Sequence, residues 1–195
     1  MNLNGITWEA GGSTDTVLLG FLPEELRDII EPTGGFILHH GAIHFRGCTF
    51  EPAWNSLRPI YHGNQSLKTL YPTVDIDDVP FAQDQLGDQY LLRGVEVVHL
   101  DAETGEIKRF ARCLTEFVDG IQADIEDYLN VSLSHRLMPG QGLHASPPFC
   151  VSDPLGGRSS LRAIPILELI QFHADLARQI ADVPEGGTIQ FSVVD

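Results

Sequence analysis

Hydrophobic residues recur along the chain in two rhythms. Between 21 and 30 they fall at Leu22, Leu26, Ile29 and Ile30, which make one face of a helix. Pro23 suits the first turn of such a helix, Glu24 and Glu25 favour the positive end of its dipole, and Pro32 with Gly34-Gly35 ends it. A short amphipathic helix is predicted there. Residues 36–46, FILHHGAIHFR, follow the other rhythm. A hairpin turning at His40-Gly41 sets Leu38 opposite Ile43 and Phe36 opposite Phe45, with all four apolar side chains on one sheet face. A looser stretch with Pro52, Pro59 and Pro72 follows, carrying one short helix near 66–70.

Short strands then succeed one another at 79–83, 88–93, 95–100 and 106–110. Turn chemistry separates them at Asp84 to Gly87, Arg93-Gly94 and Asp101 to Gly105, which is the signature of an antiparallel meander. In YLLRGVEVVHL the apolar residues barely alternate, so these two strands are expected to be covered on both faces. Leu114, Phe117, Val118, Ile121, Ile125 and Leu129 predict one helix over 114–129 with its acids mostly off the apolar stripe. Residues 138–158 read as loop, Pro165 opens a long amphipathic helix to about Ala181, and 188–194 alternate like a final strand.

A chain of 195 residues without a compositional break predicts a single domain over 1–195. Charge changes the picture more than length does. Twelve basic against 27 acidic residues give a net charge of −15, and residues 75–127 alone hold 14 acids and four bases. Such a surface repels phosphate backbones and anionic lipids, so neither direct nucleic-acid binding nor membrane binding is expected. It attracts a basic protein partner. The candidate contact residues are Asp77, Asp78, Glu116, Asp119, Asp124 and Asp127. Cys48, Cys113 and Cys150 form no CxxC pair, which fits a reducing compartment and no disulfide framework. The apolar run from Val17 to Leu22 is too short for a signal or membrane helix, so a cytoplasmic location is expected.

Few residues promise chemistry. His39 and His44 fall diagonally on the polar face of the first hairpin, but spacing supplies no third ligand, so they read as a covered polar face rather than a metal pair. Asp84-Gln85-Leu86-Gly87-Asp88 lacks the alternating acids of a calcium loop. It reads as a turn in which Asp84 accepts backbone N–H bonds and Gly87 takes positive φ. Cys113, at a helix start, reads as a packed thiol, and His173, on the stripe with Leu169, Ile170 and Leu176, as a hydrogen-bonded core residue. Neither Gly140-Gln141-Gly142 nor Gly156-Gly157-Arg158 matches a phosphate cradle. No catalytic residue, metal or cofactor is expected.

Several short motifs come in a telling order: Leu22-Pro23-Glu24 with Gly34-Gly35, Pro80-Phe81-Ala82 with Asp84, Gly87 and Asp88, then Glu103-Thr104-Gly105-Glu106, then a helix containing Glu116-Phe117 and closing with Tyr128-Leu129. This order resembles the SUKH superfamily, the group of the yeast cell-wall assembly regulator domain and many bacterial immunity proteins. The resemblance spans residues 20–130. Thr33 stands where the family pattern often has Asn, and 131–195 form a C-terminal extension of loop, long helix and final strand packed on the SUKH-like core.

The resemblance implies an α+β fold, a mostly antiparallel twisted sheet with flanking helices. It gives Pro80, Phe81, Asp84, Gly87, Asp88 and Gly105 structural roles and implies no catalysis. It further implies a protein-binding domain, an immunity protein that neutralises a polymorphic bacterial toxin by direct binding, with the acidic region meeting a basic toxin domain. A regulatory or scaffold module with an endogenous partner is the alternative. A small-ligand binder or enzyme using a pocket near the extension is a third reading.

Overall fold

The computed structural model describes residues 3–151, 159–184 and 186–187. Its architecture is α+β: a seven-stranded antiparallel sheet in sequential order, a separate two-stranded ribbon, and flanking helices. The large sheet comprises β1 (Ile6–Glu9), β2 (Phe36–Leu38), β3 (Ile43–Phe45), β4 (Val79–Asp84), β5 (Gln89–Arg93), β6 (Glu96–Leu100) and β7 (Ile107–Ala111). β8 (Gln141–Ser146) and β9 (Ser160–Pro165) form the ribbon. The expected meander is present from β4 to β7.

Two clusters of apolar side chains sandwich the sheet. On one face Phe36, Phe45, Phe81, Tyr90, Leu92 and Val97 pack against helices α1 (Thr16–Phe21), α2 (Glu24–Ile30), α5 (Leu114–Ala123) and α6 (Ile125–Leu129). On the other, Leu91, Val98 and Leu100 meet Ile60 of α3 (Leu57–Tyr61), Leu67 of α4 (Leu67–Leu70), Tyr71, and Ile170, Ala174 and Ala177 of α7 (Ile166–Ile180). Alternate residues of β5 and β6 thus enter different cores, which is why YLLRGVEVVHL is apolar almost throughout.

The first hairpin has the predicted register, Phe36 with Phe45 and Leu38 with Ile43. Its turn is longer than two residues: His39 and His40 both take left-handed backbone ahead of Gly41. The helix predicted over 21–30 is present as α2, starting at Glu24, and an unpredicted helix, α1, precedes it; the two meet at Leu22-Pro23. Leu22 is extended, as a residue before proline prefers, and Pro23 caps α2 from outside rather than lying in its first turn. Asp15 caps α1, its Oδ1 accepting the N–H of Leu18 at 3.1 Å.

The helix predicted over 114–129 is broken. Asp124 is extended, ends α5 and starts α6, its carboxylate accepting the N–H of Asp127 at 3.1 Å. The stretch read as loop from 138 contains β8. At Gly142 the ribbon backbone lies directly under α7: a Cβ would sit 2.6 Å from Ile166 Cδ1 and 2.7 Å from Leu169 Cδ2, so a larger residue would displace those side-chain ends. Strand β9 precedes α7, which starts after Pro165 as expected. The final strand expected over 188–194 lies outside the described residues.

Candidate functional site

The residues that carry chemistry meet at the turn ends of β4 to β7. Asp84 closes β4 with a buried carboxylate. Its Oδ1 accepts the N–H groups of Leu86 at 2.9 Å and Asp88 at 3.1 Å, and Tyr90 Oη donates to its Oδ2 at 3.3 Å. Gly87 has φ +93° in the same turn. Asp88 then reaches across: Oδ1 accepts the N–H of Ala102 and Oδ2 pairs with His99 Nε2, both at 2.9 Å. Asp84 and Gly87 serve as turn residues as expected, while the tie from Asp88 to the next turn was not anticipated.

Below Asp88 lies a cavity of about 460 Å³ with Leu86, Asp88, Asp101, Glu103, Asn130 and Phe149 in its wall. Asp101 Oδ1 accepts the N–H of Thr104. Glu103 accepts the N–H groups of Phe149 at 3.1 Å and Cys150 at 2.8 Å, joining the 101–105 turn to the segment that follows β8. A second cavity of about 330 Å³ lies between α4, the 101–105 turn and α7, bordered by Tyr71, Thr73, Gly105 and Arg178.

The electrostatics at Asp84 are one-sided. Burial, and then the charge of Asp88, push its carboxyl up to about 8, only partly offset by His99 and by the two N–H donors. Burial alone would lower His99, but the hydrogen bond and charge of Asp88, with Asp84 and Asp101, leave it raised. Among the described residues no Lys or Arg forms an ion pair with Asp84 or Asp88.

The nearest buried cation in sequence terms is Arg46, and it is bound elsewhere. It donates to Pro80 O at 2.9 Å, to Gln89 Oε1 at 2.6 Å and to Gln83 Oε1, while its Nε has no partner. The remaining motif residues also build structure. Phe81 meets Phe117 edge-on at 5.4 Å, and Gly105, at φ +75°, lies where a Cβ would be 3.4 Å from Tyr71.

The acidic candidates divide. Asp77, Asp119, Asp124 and Asp127 are exposed. Asp78 is not a surface residue: it is 3% exposed and takes a bidentate grip from Arg93, at 2.8 Å to Oδ1 and 2.6 Å to Oδ2. Glu116 is half-buried and engaged by Arg112, whose guanidinium holds its carboxyl below the usual range. Asp124 is occupied as the α6 cap. The acidic side of α5 and α6 includes a fourth exposed acid, Glu126, which accepts the N–H of Leu133 at 2.8 Å.

The histidines separate as well. His44 is buried with Nε2 2.9 Å from Asn55 Oδ1 and its ring beside Trp54, whereas the His39 ring abuts Gly5. Burial, opposed by Asn55 and reinforced by Arg46, lowers His44 to about 3. His173 is in the core as predicted, but its Nδ1 has no hydrogen-bond partner, contrary to the expectation of a satisfied ring. Cys113 is half-buried at the α5 cap.

Sequence reading missed His99 and Glu103 as members of this site. The pairing of Tyr90 with His99 follows once Arg93 and Glu96 flank the β5–β6 turn, so His99 was within reach of register reasoning. The link from Glu103 to residues 149 and 150 has no local signal.

No family model matches the chain, and no curated protein matches it in sequence. No helix among the described residues is long and apolar enough to cross a membrane.

Proposed function

We propose that the chain is a non-enzymatic protein-binding domain of SUKH type, an immunity protein that neutralises a toxin in the cytoplasm by direct binding. The observation that supports this reading is how the motif residues are used. Asp84, Gly87, Asp88 and Gly105 close turns and fix packing, and Pro80 and Phe81 brace Arg46 and Phe117. The exposed charged side chains of α5, α6 and the residue between them are all carboxylates: Asp119, Asp124, Glu126 and Asp127. Such a face complements the basic, substrate-binding surface of a nuclease-like toxin and speeds its capture.

The test is to look for a toxin with a variable C-terminal domain encoded beside this gene and to co-express the two. Relief of toxicity is expected, together with a direct complex whose affinity falls at least tenfold in Asp119→Lys/Asp127→Lys. A lone gene with no toxicity for this chain to relieve, or a complex indifferent to both charge reversals, counts against the toxin reading or against this surface respectively.

A further inference from the structure

We propose that Asp84, Asp88 and His99 form a binding site for one divalent transition-metal ion of the zinc class, entered from the acidic cavity beneath Asp88. The proposal is independent of the immunity reading. It stands on the geometry of three donor atoms: one oxygen from each carboxylate and one ring nitrogen of His99 lie within 4.8 Å of one another. At metal–ligand distances of roughly 2.0–2.2 Å, donors around one ion stand about 3–4.4 Å apart. Small side-chain rotations therefore close the three onto a common centre.

The donor set selects the ion. Calcium takes six to eight oxygens and magnesium keeps most of its water, whereas imidazole with carboxylates suits zinc and its neighbours. Backbone N–H donors from Leu86, Asp88 and Ala102 already orient both carboxylates, the outer support that metal ligands need. The two acids share their place without a Lys or Arg partner among the described residues. A bound ion takes the place of the proton that Asp84 otherwise retains and provides positive charge to both carboxylates.

Access and a further nitrogen support the same place. Asp88 belongs to the wall of the 460 Å³ cavity, which also carries the carboxylates of Asp101 and Glu103 and so favours cations. From α7, His173 brings a second imidazole to the turn between the two aspartates. It is 2% exposed, its Nδ1 has no partner, and that nitrogen lies 3.1 Å from where a Gly87 Cβ would stand.

The experiment titrates the metal-stripped full chain with zinc chloride by calorimetry and with cobalt(II) by its visible d–d absorption. One saturable site per chain is expected, weakened at least tenfold in His99→Ala and in Asp88→Asn, with Asp119→Asn/Asp127→Asn unchanged. Zinc-loaded crystals are expected to show an anomalous peak among Asp84, Asp88 and His99, which reads the site without any variant. Absence of saturable binding, binding that survives His99→Ala in a folded protein, or a peak on His39, His40 or His135 instead overturns the proposal.

Discussion

Asp84 Oδ1 accepts the backbone N–H of Asp88 at 3.1 Å, so the carboxylate that ends β4 shapes the turn that presents the next carboxylate. The two acids are held together by backbone geometry rather than by attraction. The consequence is a proton retained on Asp84 at neutral pH, because burial and the neighbouring charge set its pKa at about 8.

That proton makes stability depend on pH with a definite sign. An unfolded Asp loses its proton near pH 4, whereas folded Asp84 keeps it to about 8, so the folded state binds more protons between those values. Stability therefore falls as pH rises through this window, by at most about 1.4 kcal/mol per pH unit from this group. Asp84→Asn keeps the acceptor for Leu86 and Asp88 and has no proton to lose. Urea unfolding between pH 4.5 and 8 is expected to show a shallower decline in Asp84→Asn than in the parent; parallel curves would mean that Asp84 is ionised throughout.

His173 acts in the opposite direction. Burial, partly opposed by Asp88 and aided by His144, lowers it to about 4, so the folded state holds it neutral where the unfolded chain protonates it. Stability from this group is complete above pH 6.5 and is lost as pH falls towards 4. His173→Leu also removes a buried nitrogen that has no partner, a defect worth about 1–3 kcal/mol. The variant is expected to match or exceed the parent at pH 7 and to lose less stability on acidification. A melting temperature well below the parent's at pH 7 would show that the ring contributes packing that Leu cannot replace.

Arg46 is buried with carbonyl oxygens for partners and no carboxylate. Burial lowers its pKa to about 9, which still leaves it charged at pH 7. Removing the charge gains desolvation energy, but three acceptors, on Pro80, Gln83 and Gln89, lose their donor. The second effect dominates, since orphaned buried acceptors cost about 1–3 kcal/mol each before relaxation. Arg46→Met is expected to destabilise by roughly 2–4 kcal/mol in urea unfolding. Arg46→Met/Gln83→Leu/Gln89→Leu should recover part of that loss, and a triple variant as unstable as the single one would place the cost in packing instead.

The legible part of the fold was the part specified locally. Turn residues and register placed β2 to β7, and the near-continuous apolar run of β5 and β6 announced two covered faces. The break at Asp124 was hidden because Ile121 and Ile125 keep helical spacing across it. β8 has almost no strand-forming residues and is held by its ladder to β9 and by α7 above Gly142, so only tertiary contact reveals it. At the site, Asp84, Gly87 and Asp88 were readable as a turn. Their meeting with His99 and the Glu103 contact depends on sheet order and on a connection 46 residues long in sequence. Asp78 misled because a loop acid looks exposed until Arg93 is known to lie beside it.

Gly87 separates the two reasons a glycine can be required. Its φ of +93° strains any other residue, and a Cβ would also lie 3.1 Å from both His173 Nδ1 and Leu169 Cδ2. Gly87→Ala is expected to cost about 1–3 kcal/mol from backbone strain alone. The crowding adds to that cost and is removable. In a double-mutant cycle with His173→Ala, the penalty of Gly87→Ala should shrink by a measurable coupling of about 0.5 kcal/mol or more while remaining positive. A penalty that vanishes in the His173→Ala background would assign the whole requirement to packing; one that does not change would assign it to the left-handed backbone.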